Sequence, residues 1–493
     1  DDTVDYLVDN HLNTLLEHYN LADIASAENE SNGGAAQSHN EKSHNVNRAA
    51  LDSQDVAIVG LACKFPDAPN TRQFWRNLSK QISSIKEVPS DRWDWKSVYS
   101  ETPNENQSSS KWGAFLDQVN EFDPQFFGIP ADHAQYLDPQ ERLLMQEAYN
   151  AVMDAGISMD SLAGTNTSVF VGYEYSEYEH YLRKHVNNTM PLFGSSSPTY
   201  YLANRLSYTF DLCGPSESIN INCASSAVAV NRAYYALLNG ETDTALVGAV
   251  SLNLFADDSV YASQYGMLSP DGSCGVFDNN ANGFTRGEGV GVLVLKRLSD
   301  AEINNDRVYS VIKGCHQNNR GRANDISEIK HESITDVLTQ CYVKTGLSLD
   351  SVNYIEVDGY STKWGDSFEF EGIKNALTKG QANSTIREKS CALGSVKGNI
   401  GHLEPASGIA SLIKLSLAMS HKTFPASITK NELSDFIDLE DTSHPLYFAD
   451  KAITFDEISQ GDAPIRAGVN SFADSGANVH IVLAEYQGTR SGE

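Results

Sequence analysis

Cysteine is scarce in this chain and is never clustered. The 493 residues include seven cysteines, with no CxxC pair and no group of cysteines and histidines at the spacing of a zinc site. A sparse, odd set of this kind argues against a disulfide framework and favours a reducing compartment. We therefore expect no bound metal and no disulfide-stapled fold.

Positive charge and long apolar runs are also lacking. Lys and Arg number 36 against 65 Asp and Glu, which gives a formal net charge of -29 at pH 7. So acidic a surface argues against nucleic acid and anionic lipid as partners. No stretch is long and apolar enough to span a membrane, and the first residues, DDTVDYLVDN, lack the basic start and apolar core of a secretory signal. We expect a cytoplasmic location.

The two ends of the chain differ in composition from its middle. Residues 4–21 place apolar side chains at helical intervals, which predicts one amphipathic helix within residues 1–26. Residues 27–54 are rich in Asn, Ser, Glu and Gly, which is typical of a flexible linker. A folded domain is predicted over residues 55–485, followed by a disordered tail over residues 486–493. This order is typical of a segment from a longer multidomain chain.

Short apolar runs alternate with helical patterns through the predicted domain. The runs rich in Val and Ile predict buried strands, and they are DVAIVGLA, TSVFVGY, TALVGAVSLNL, GVGVLVLKRL, SVNYIEVDGY and NVHIVLAEY. The helical patterns between them include DPQERLLMQEAYNAVMDAG, SSAVAVNRAYYALLNG and ESITDVLTQCYVKTGL. Alternation of this kind predicts an α/β fold in which helices cover the faces of a sheet.

One cysteine precedes a helix that is small or apolar on nearly every side. The stretch ININCASSAVAV, residues 219–230, places Cys223 just before this predicted buried helix. A cysteine there would face free backbone N–H groups, which lower a thiol pKa and can hold an oxyanion. The alternative is an inert core thiol, which is the commoner case for such a stretch taken alone.

Seven blocks of sequence, in order, resemble a single family. They are VAIVGLACKFPDAPNTRQFWRNL, DRWDW, FDPQFFGIPADHAQYLDPQERLLMQEA, LANRLSYTFDLCGPS, NGFTRGEGVGVLVLKRL, GSVKGNIGHLEPASGIASLIK and AGVNSFADSGANVHIVL. Together they resemble the ketosynthase (beta-ketoacyl synthase) domains of modular polyketide synthases, within the thiolase-like condensing enzymes. The resemblance covers about residues 55–485. The earlier segment TVDYLVDNHLNTLLEHY resembles the end of a preceding acyl carrier protein or a docking helix.

The resemblance implies both a fold and a mechanism. The fold would be thiolase-like, with two similar halves in alternating α/β/α/β/α layers, and the domain would form a homodimer. The family's nucleophile falls on Cys223, which would take an acyl chain from the phosphopantetheine thioester of an acyl carrier protein. Its second histidine falls on His402 and its lysine on Lys397. No cofactor is expected to bind directly, and the expected partners are acyl carrier proteins and neighbouring polyketide synthase domains.

The position of the family's first histidine breaks this pattern. A block similar to EAHGTGTxLGD reads EVDGYSTKWGD here, so that Asp358 occupies the histidine position. In the family, two histidines promote decarboxylation of a malonyl thioester, and the resulting carbanion attacks the acyl-cysteine. An ionised aspartate cannot donate a hydrogen bond to the enolate oxygen, and it would repel the malonyl carboxylate. Decarboxylation should therefore be crippled, whereas acyl transfer needs only a thiolate, an oxyanion hole and a base such as His402.

A second departure lies in the loop at residues 473–478. The family's GFGGTN is ADSGAN here, so that Asp474 replaces the gating phenylalanine. The family's oxyanion hole uses the backbone N–H groups of this position and of the nucleophile, which do not depend on side chains, so we expect the hole to survive. In the block EVDGYSTKWGD, Tyr360 replaces a threonine, and the resemblance implies that this threonine contacts pantetheine. The predicted substrate- and pantetheine-binding residues are Thr362, Tyr360, Asp474 and Asn478.

Four functions remain possible at this point. The leading one is acyl transfer without elongation, which resembles a non-elongating ketosynthase of a trans-acyltransferase assembly line. The second is an active condensing, branching or cyclising enzyme, in which Asp358 forms a new acid–base pair with His402. Ordinary elongation with an unusual aspartate is third. A docking module without turnover is last, because Cys223, His402 and Lys397 are all present.

Overall fold

The computed structural model describes residues 55–185, 199–323, 325, 328–379, 388–429, 431–459 and 461–488. The predicted N-terminal helix within residues 1–26 and the predicted linker over residues 27–54 lie outside these ranges. So do the last five residues of the predicted tail, 489–493. The predicted domain over residues 55–485 is where the secondary structure can be compared with the sequence.

The strands are mostly short and buried. In chain order they are β1 (Val56–Lys64), β2 (Lys86–Glu87), β3 (Trp112–Gly113), β4 (Thr167–Gly172), β5 (Ser216–Ile219), β6 (Thr244–Ser251), β7 (Gly289–Arg297), β8 (Ser310–Asn319), β9 (Tyr354–Glu356), β10 (Cys391–Gly394), β11 (Thr423–Phe424), β12 (Leu446–Phe448), β13 (Ile453–Thr454), β14 (Arg466–Phe472) and β15 (Ala477–Ala484). Runs of β-branched and other apolar residues fit the interior of such a sheet.

The helices alternate with these strands. In chain order they are α1 (Thr71–Ser79), α2 (Ala131–Ala134), α3 (Pro139–Asp154), α4 (Met159–Leu162), α5 (Glu177–His185), α6 (Tyr201–Phe210), α7 (Ser225–Leu238), α8 (Asp257–Gln264), α9 (Leu298–Ile303), α10 (His331–Thr345), α11 (Lys363–Lys379), α12 (Lys397–Ile400), α13 (Ser407–His421) and α14 (Phe455–Ile458). Short 3-10 helices occur at Trp95–Ser97, Leu349–Ser351 and Glu404–Ala406.

Eleven strands form one mixed sheet with an internal repeat. Its order is β12-β10-β9-β14-β15-β8-β1-β7-β6-β4-β5. The first half contains β1, β4, β5, β6 and β7, and the second contains β8, β9, β10, β14 and β15. In each half the first strand pairs antiparallel with the fifth and the fifth with the fourth, whereas the second pairs parallel with the third and the fourth. This shared topology confirms the expected two similar halves.

Two helices lie between the halves and position the site. Helices α7 and α13 contact each other, and each contacts strands of both halves. All thirteen residues from Ser407 to Met419 are buried, including Lys414, whose ammonium group donates to Glu356 Oε2 at 2.6 Å. The helices meet near their N-termini, where the Ile409 N–H donates to Ser226 Oγ at 3.1 Å. The segments that carry Cys223 and His402 immediately precede these two helices, so the packing brings both segments to one place.

Most of the predicted elements are confirmed. The six predicted strands overlap β1, β4, β6, β7, β9 and β15, and the three predicted helices overlap α3, α7 and α10. The largest difference is β9, which covers only Tyr354–Glu356 of the run SVNYIEVDGY. The chain leaves the sheet there and turns at Gly359, whose φ of +67° favours glycine. The short strand therefore ends just before Asp358.

Several features of the chain bear on the expected compartment and cofactors. All seven cysteines are free thiols. Within the described ranges, no group of three His, Cys, Asp or Glu residues is placed to hold a metal ion. Among the helices of those same ranges, none has the length and apolar character needed to cross a membrane.

Candidate active site

Cys223 lies in a tight turn between β5 and α7. The preceding Asn222 has a left-handed backbone with φ of +57°, a conformation that asparagine tolerates better than most residues. Ser225 fixes the turn, because its hydroxyl donates to the Asn222 carbonyl at 2.6 Å and accepts the Ile221 N–H at 2.9 Å. Helix α7 begins only at Ser225, so Cys223 lies just outside the helix and is partly exposed.

The prediction made from the sequence for the environment of the Cys223 thiol is wrong in two respects. The Cys223 N–H is not free, because it donates to the side-chain oxygen Oδ1 of Asn222 at 2.7 Å. The pKa of the thiol is not lowered either. Burial raises the pKa of Cys223 well above its ordinary value, and Glu174 and Asp474 raise it further against the opposing effect of Lys397. A desolvated pocket with several carboxylates disfavours the thiolate, and one nearby lysine does not compensate.

Asp358 is held in a frame of backbone and side-chain hydrogen bonds. The N–H groups of Asp358 and Gly359 donate to the buried carboxylate of Glu369 at 2.9 and 2.8 Å. The Asp358 carboxylate itself accepts from the Phe472 N–H at 3.3 Å and from Lys397 Nζ at 3.4 Å. Both of its oxygens therefore accept hydrogen bonds, one from a backbone N–H and one from an ammonium group.

Lys397 pairs with Asp358 and acts on the nucleophile through its charge. It begins α12, and its ammonium group also donates to the Gly359 carbonyl at 3.3 Å. Burial lowers the pKa of Lys397, but Asp358 and then Cys223 raise it by more, so that its pKa is above the ordinary value. A charged lysine therefore lies within electrostatic reach of both Asp358 and Cys223.

His402 is arranged as a hydrogen-bond donor. Its ring nitrogen Nδ1 lies 3.0 Å from the Glu404 backbone N–H and 2.8 Å from the Ser407 hydroxyl. Because a backbone N–H can only donate, Nδ1 accepts and the neutral ring carries its proton on Nε2. Burial lowers the pKa of His402 well below its ordinary value, and Lys397 and Arg286 lower it further. The sequence predicts a base at this position. In the structure His402 is a neutral imidazole that presents an Nε2–H donor.

Comparison with known families identifies this arrangement. The family described as "Beta-ketoacyl synthase, N-terminal domain" matches residues 53–301, and "Beta-ketoacyl synthase, C-terminal domain" matches residues 309–430. The chain belongs to the beta-ketoacyl synthase family. The first match contains Cys223, and the second contains Asp358, Lys397 and His402.

Whole polyketide synthases contain segments similar to this ketosynthase. It is 38% identical over 444 residues to polyketide synthase PksN of Bacillus subtilis, which covers 88% of this chain and 8% of that protein. It is also 38% identical over 442 residues to a phenolphthiocerol/phthiocerol polyketide synthase of Mycobacterium tuberculosis, covering 89% of this chain and 28% of the other. The chain thus spans less than a third of either relative.

Solved ketosynthase structures share its fold. The ketosynthase from module 6 of the bacillaene synthase of Bacillus subtilis has a TM-score of 0.81 and 36% identity, covering 88% of this chain and 72% of that one. An oxazolomycin ketosynthase domain of Streptomyces albus has a TM-score of 0.81 and 32% identity, with coverages of 88% and 76%. The thiolase-like α/β fold is confirmed, as is the assignment to ketosynthase domains of modular polyketide synthases.

The ketosynthase's altered loop at residues 473–478 is tied down beside the nucleophile. The guanidinium of Arg320 donates to the carbonyl of Ala473 at 2.8 Å and to that of Asp474. Ala473 and Ala477 pack against Ala224, the residue after the nucleophile. Asp474 itself is exposed, in contrast to the bulky gate expected from the family. The loop is therefore anchored through its backbone, and its charged side chain reaches solvent.

Glu174 is a residue of the site that the sequence analysis missed. It lies two residues beyond Gly172 at the end of β4, whereas Asp358 lies two residues beyond Glu356 at the end of β9. These strands occupy equivalent positions in the two halves, so Glu174 is the counterpart of Asp358. Burial, followed by the nearby Glu404, raises the pKa of Glu174 to about 8. A search for the two-fold repeat in the sequence could have pointed to this residue.

Arg286 and Glu404 form a second arrangement that the sequence did not reveal. The guanidinium makes a two-pronged contact with the carboxylate, with Nε 2.6 Å from Oε1 and Nη2 3.0 Å from Oε2. The backbone alongside is also fixed, because the His402 N–H donates to the Thr285 carbonyl at 2.8 Å and the His402 carbonyl accepts the Gly287 N–H at 2.8 Å. This pairing holds the His402 segment against the segment before β7.

Two of the predicted binding residues line the loop after Asp358. Thr362 Oγ1 accepts the Gly365 N–H at 3.2 Å, which caps the start of α11. The ring of Tyr360 stacks on Phe472, with centroids 6.4 Å apart, and burial together with Asp358 raises its pKa well above the ordinary value. Both side chains are only partly buried, so contact with a pantetheine arm stays a prediction for them.

Asn478 is placed differently from the other predicted binding residues. It is 4% exposed, and its amide nitrogen donates to Asn318 Oδ1 at 2.9 Å and to Ser333 Oγ at 3.2 Å. These contacts link β15, β8 and α10. The Asn478 amide is therefore engaged in holding elements together.

An open cleft adjoins the nucleophile turn. It has a volume of about 760 Å³ and is lined by Ile221, Asn231, Tyr235, His316, Gln317, Asn318, Asn319, Lys344, Ser475 and Ala477. Ile221 belongs to the turn that carries Cys223, and Ser475 and Ala477 belong to the altered loop. The cleft therefore provides ligand-sized space next to the site.

Proposed function

We propose that this ketosynthase takes an acyl chain from an acyl-carrier-protein thioester onto Cys223 and passes it on without decarboxylative elongation. The observation that carries the proposal is Asp358, whose two carboxylate oxygens accept from Lys397 Nζ and the Phe472 N–H at the position of a family histidine. The beta-ketoacyl synthase family and its ketosynthase relatives supply the general reaction class.

Decarboxylation is the step that this arrangement disfavours. Loss of carbon dioxide from a malonyl thioester leaves an enolate, whose oxygen needs a hydrogen-bond donor. The Asp358 carboxylate is an acceptor, and it adds a negative charge that repels both the malonyl carboxylate and the enolate. His402 still offers an Nε2–H donor. The other donor, which the resemblance implies at the first histidine position, is missing because that position is Asp358.

Acyl transfer is the step that the remaining groups can support. The Cys223 sulfur attacks the thioester carbonyl, the C–S bond to pantetheine breaks, and the proton lost by Cys223 ends on the pantetheine sulfur. The reverse steps on another carrier thiol release the unchanged chain. Lys397 favours the thiolate, whereas the raised pKa of Cys223 makes thiolate formation the costly part of the reaction.

The partners follow from this reaction. Acyl carrier proteins deliver and receive the chain on phosphopantetheine, so the domain itself needs no bound cofactor. Neighbouring polyketide synthase domains, a cytoplasmic location and a homodimer belong to the same proposal. Within the described part of the chain, β5 ends the eleven-stranded sheet and pairs only with β4, so its outer edge is open to a second copy.

Intact-protein mass spectrometry tests the acyl-transfer reaction. The domain is incubated with an acylated carrier protein, and an unloaded second carrier is then added, with Cys223→Ala as the control. We expect the wild type to gain the mass of the acyl group and then to lose it to the second carrier, and C223A to gain nothing. A wild type that never acquires the acyl group would instead support the docking module.

A further inference from the structure

The side chain of Asn222 stands between Glu174 and the backbone of the nucleophile. Its Oδ1 accepts the Cys223 N–H at 2.7 Å, and its Nδ2 donates to Glu174 Oε1 at 2.7 Å. The backbone N–H can only donate, so the amide oxygen must face Cys223 and the amide nitrogen must face the carboxyl group. Both ends of the amide are therefore engaged, and its orientation is fixed by its two partners.

The turn holds Asn222 in this position. Asn220 Nδ2 donates to the Glu174 carbonyl at 3.0 Å, and Asn220 Oδ1 accepts the Asn222 N–H at 3.2 Å. Asn222 has a left-handed backbone, and in this conformation its short side chain accepts the N–H of the following residue, Cys223. The contact with Cys223 is thus one part of a connected network of Asn220, Asn222 and Glu174.

The occupied N–H is the group that acylation needs. When a thiolate attacks a thioester, negative charge develops on the carbonyl oxygen, and preorganised N–H donors next to the nucleophile stabilise that charge. The Cys223 N–H lies on the same residue as the attacking sulfur, so it is positioned for that oxygen. In this structure the Asn222 amide oxygen already accepts from it, and a thioester oxygen has to displace that amide first.

We propose that Asn222, held by Glu174, masks the oxyanion donor of Cys223 and slows its acylation by thioesters. Asn222 is then a positioning residue, because it controls a backbone donor without touching the acyl group. This inference rests on the proposed acyl transfer to Cys223. It goes beyond that proposal because it makes the rate of Cys223 acylation depend on the contact between Asn222 Oδ1 and the Cys223 N–H, which does not involve Asp358.

The test compares two reactions of the same thiol. Acylation of Cys223 by an acyl-pantetheine thioester needs an oxyanion donor, whereas alkylation by iodoacetamide does not. Asn222→Gly removes the amide and keeps the left-handed backbone available. We expect Cys223 of N222G to be acylated about tenfold faster than in the wild type, because one competing hydrogen bond is lost. Its rate of alkylation by iodoacetamide should be unchanged. Asn222→Ala removes the same amide but is strained in the left-handed backbone, so an unchanged alkylation rate must first show that its turn is intact.

Glu174→Gln is the matched control. Above about pH 8, where Glu174 is ionised, it removes a charge near the thiol. It keeps an oxygen that accepts from Asn222 Nδ2, so it should change acylation and alkylation by the same factor. Equal acceleration of both reactions in N222G, or no acceleration of acylation, would overturn the masking role. If the wild type and N222G both alkylate but neither ever acylates, the proposed acyl transfer itself is wrong.

Discussion

Lys397 Nζ lies 3.4 Å from Asp358 Oδ2, and the two side chains are 5% and 6% exposed. The family resemblance implies a lysine at position 397 and a histidine at position 358, where this chain has Lys397 and Asp358. A new carboxylate in a buried site would ordinarily be costly, because an unpaired buried charge is strongly disfavoured. Here the Asp358 carboxylate lies next to the cation of Lys397. The pair accounts for how the site tolerates Asp358.

The first prediction concerns the stability of this pair. Lys397→Met should lower the free energy of unfolding by about 3–5 kcal/mol, because it leaves the Asp358 carboxylate buried without its counter-ion. Adding Asp358→Asn to that variant removes the orphan charge and should restore a large part of the loss. Urea denaturation of the two single variants, the double variant and the wild type gives the coupling energy. A loss below about 1 kcal/mol in K397M would show that the two charges barely interact.

The second prediction concerns the pH dependence of Cys223 reactivity. Burial, Glu174 and Asp474 raise the pKa of the Cys223 thiol. Its thiolate fraction is therefore small at neutral pH and grows as the pH rises beyond the pKa range of an ordinary cysteine. The rate of alkylation by iodoacetamide should therefore still be increasing at about pH 9. Asp474→Asn and Glu174→Gln each remove a negative charge, so each should move the curve to lower pH. Cys223→Ala corrects for the other thiols, and a plateau near neutral pH in the wild type would contradict the account.

The third prediction separates Asn478 from the substrate site. Its amide holds Asn318 and Ser333 together, so Asn478→Ala should lower the free energy of unfolding by about 1–3 kcal/mol. The rate of acylation of Cys223 should stay within about twofold of the wild type, since the amide nitrogen is already engaged by Asn318 and Ser333. Thr362→Val is the comparison, because Thr362 is a partly exposed candidate for pantetheine contact. If N478A loses acylation and keeps its stability, Asn478 binds substrate after all.

Sequence reasoning reached the elements and the main side chains of this site because both are encoded locally. Periodicity predicted strands such as β4 and helices such as α7, and the resemblance of the motifs to the ketosynthase family pointed to Cys223, Lys397 and Asp358. The expected thiol environment failed for a physical reason. A helix N-terminus suggests free N–H groups, but the neighbouring asparagine competes for one of them through its own side chain.

Glu174 was missed because its proximity to the site depends on long-range strand pairing. Its position next to Asn222 depends on the parallel pairing of β4 with β5, in which Gly172 pairs with Ile219. The equivalent pairing of β9 with β10 places Asp358 near Lys397. No short local pattern encodes that equivalence. The strand order of both halves shows it directly, and in the sequence only a search for the two-fold repeat could have pointed to it.

The fourth prediction is a gain of function at Asp358. Asp358→His replaces an acceptor with a ring that can donate to an enolate oxygen, and it removes the charge that repels a malonyl group. We expect this variant to release carbon dioxide from malonyl carrier protein and to form a β-keto product. Asp358→Asn, which removes the charge without restoring the imidazole, is the matched control and should release much less. Equal activity of both variants would mean that charge alone blocks the reaction.

Carbon dioxide release by the wild type is the most direct test of the account. The domain is first acylated on Cys223, which mass spectrometry verifies, and is then given malonyl carrier protein labelled in the carboxyl carbon. We predict that the acyl group moves unchanged to an unloaded carrier and that labelled carbon dioxide does not exceed the amount seen with Cys223→Ala. Stoichiometric carbon dioxide with a β-keto product would contradict the account and show that elongation proceeds with Asp358 in place.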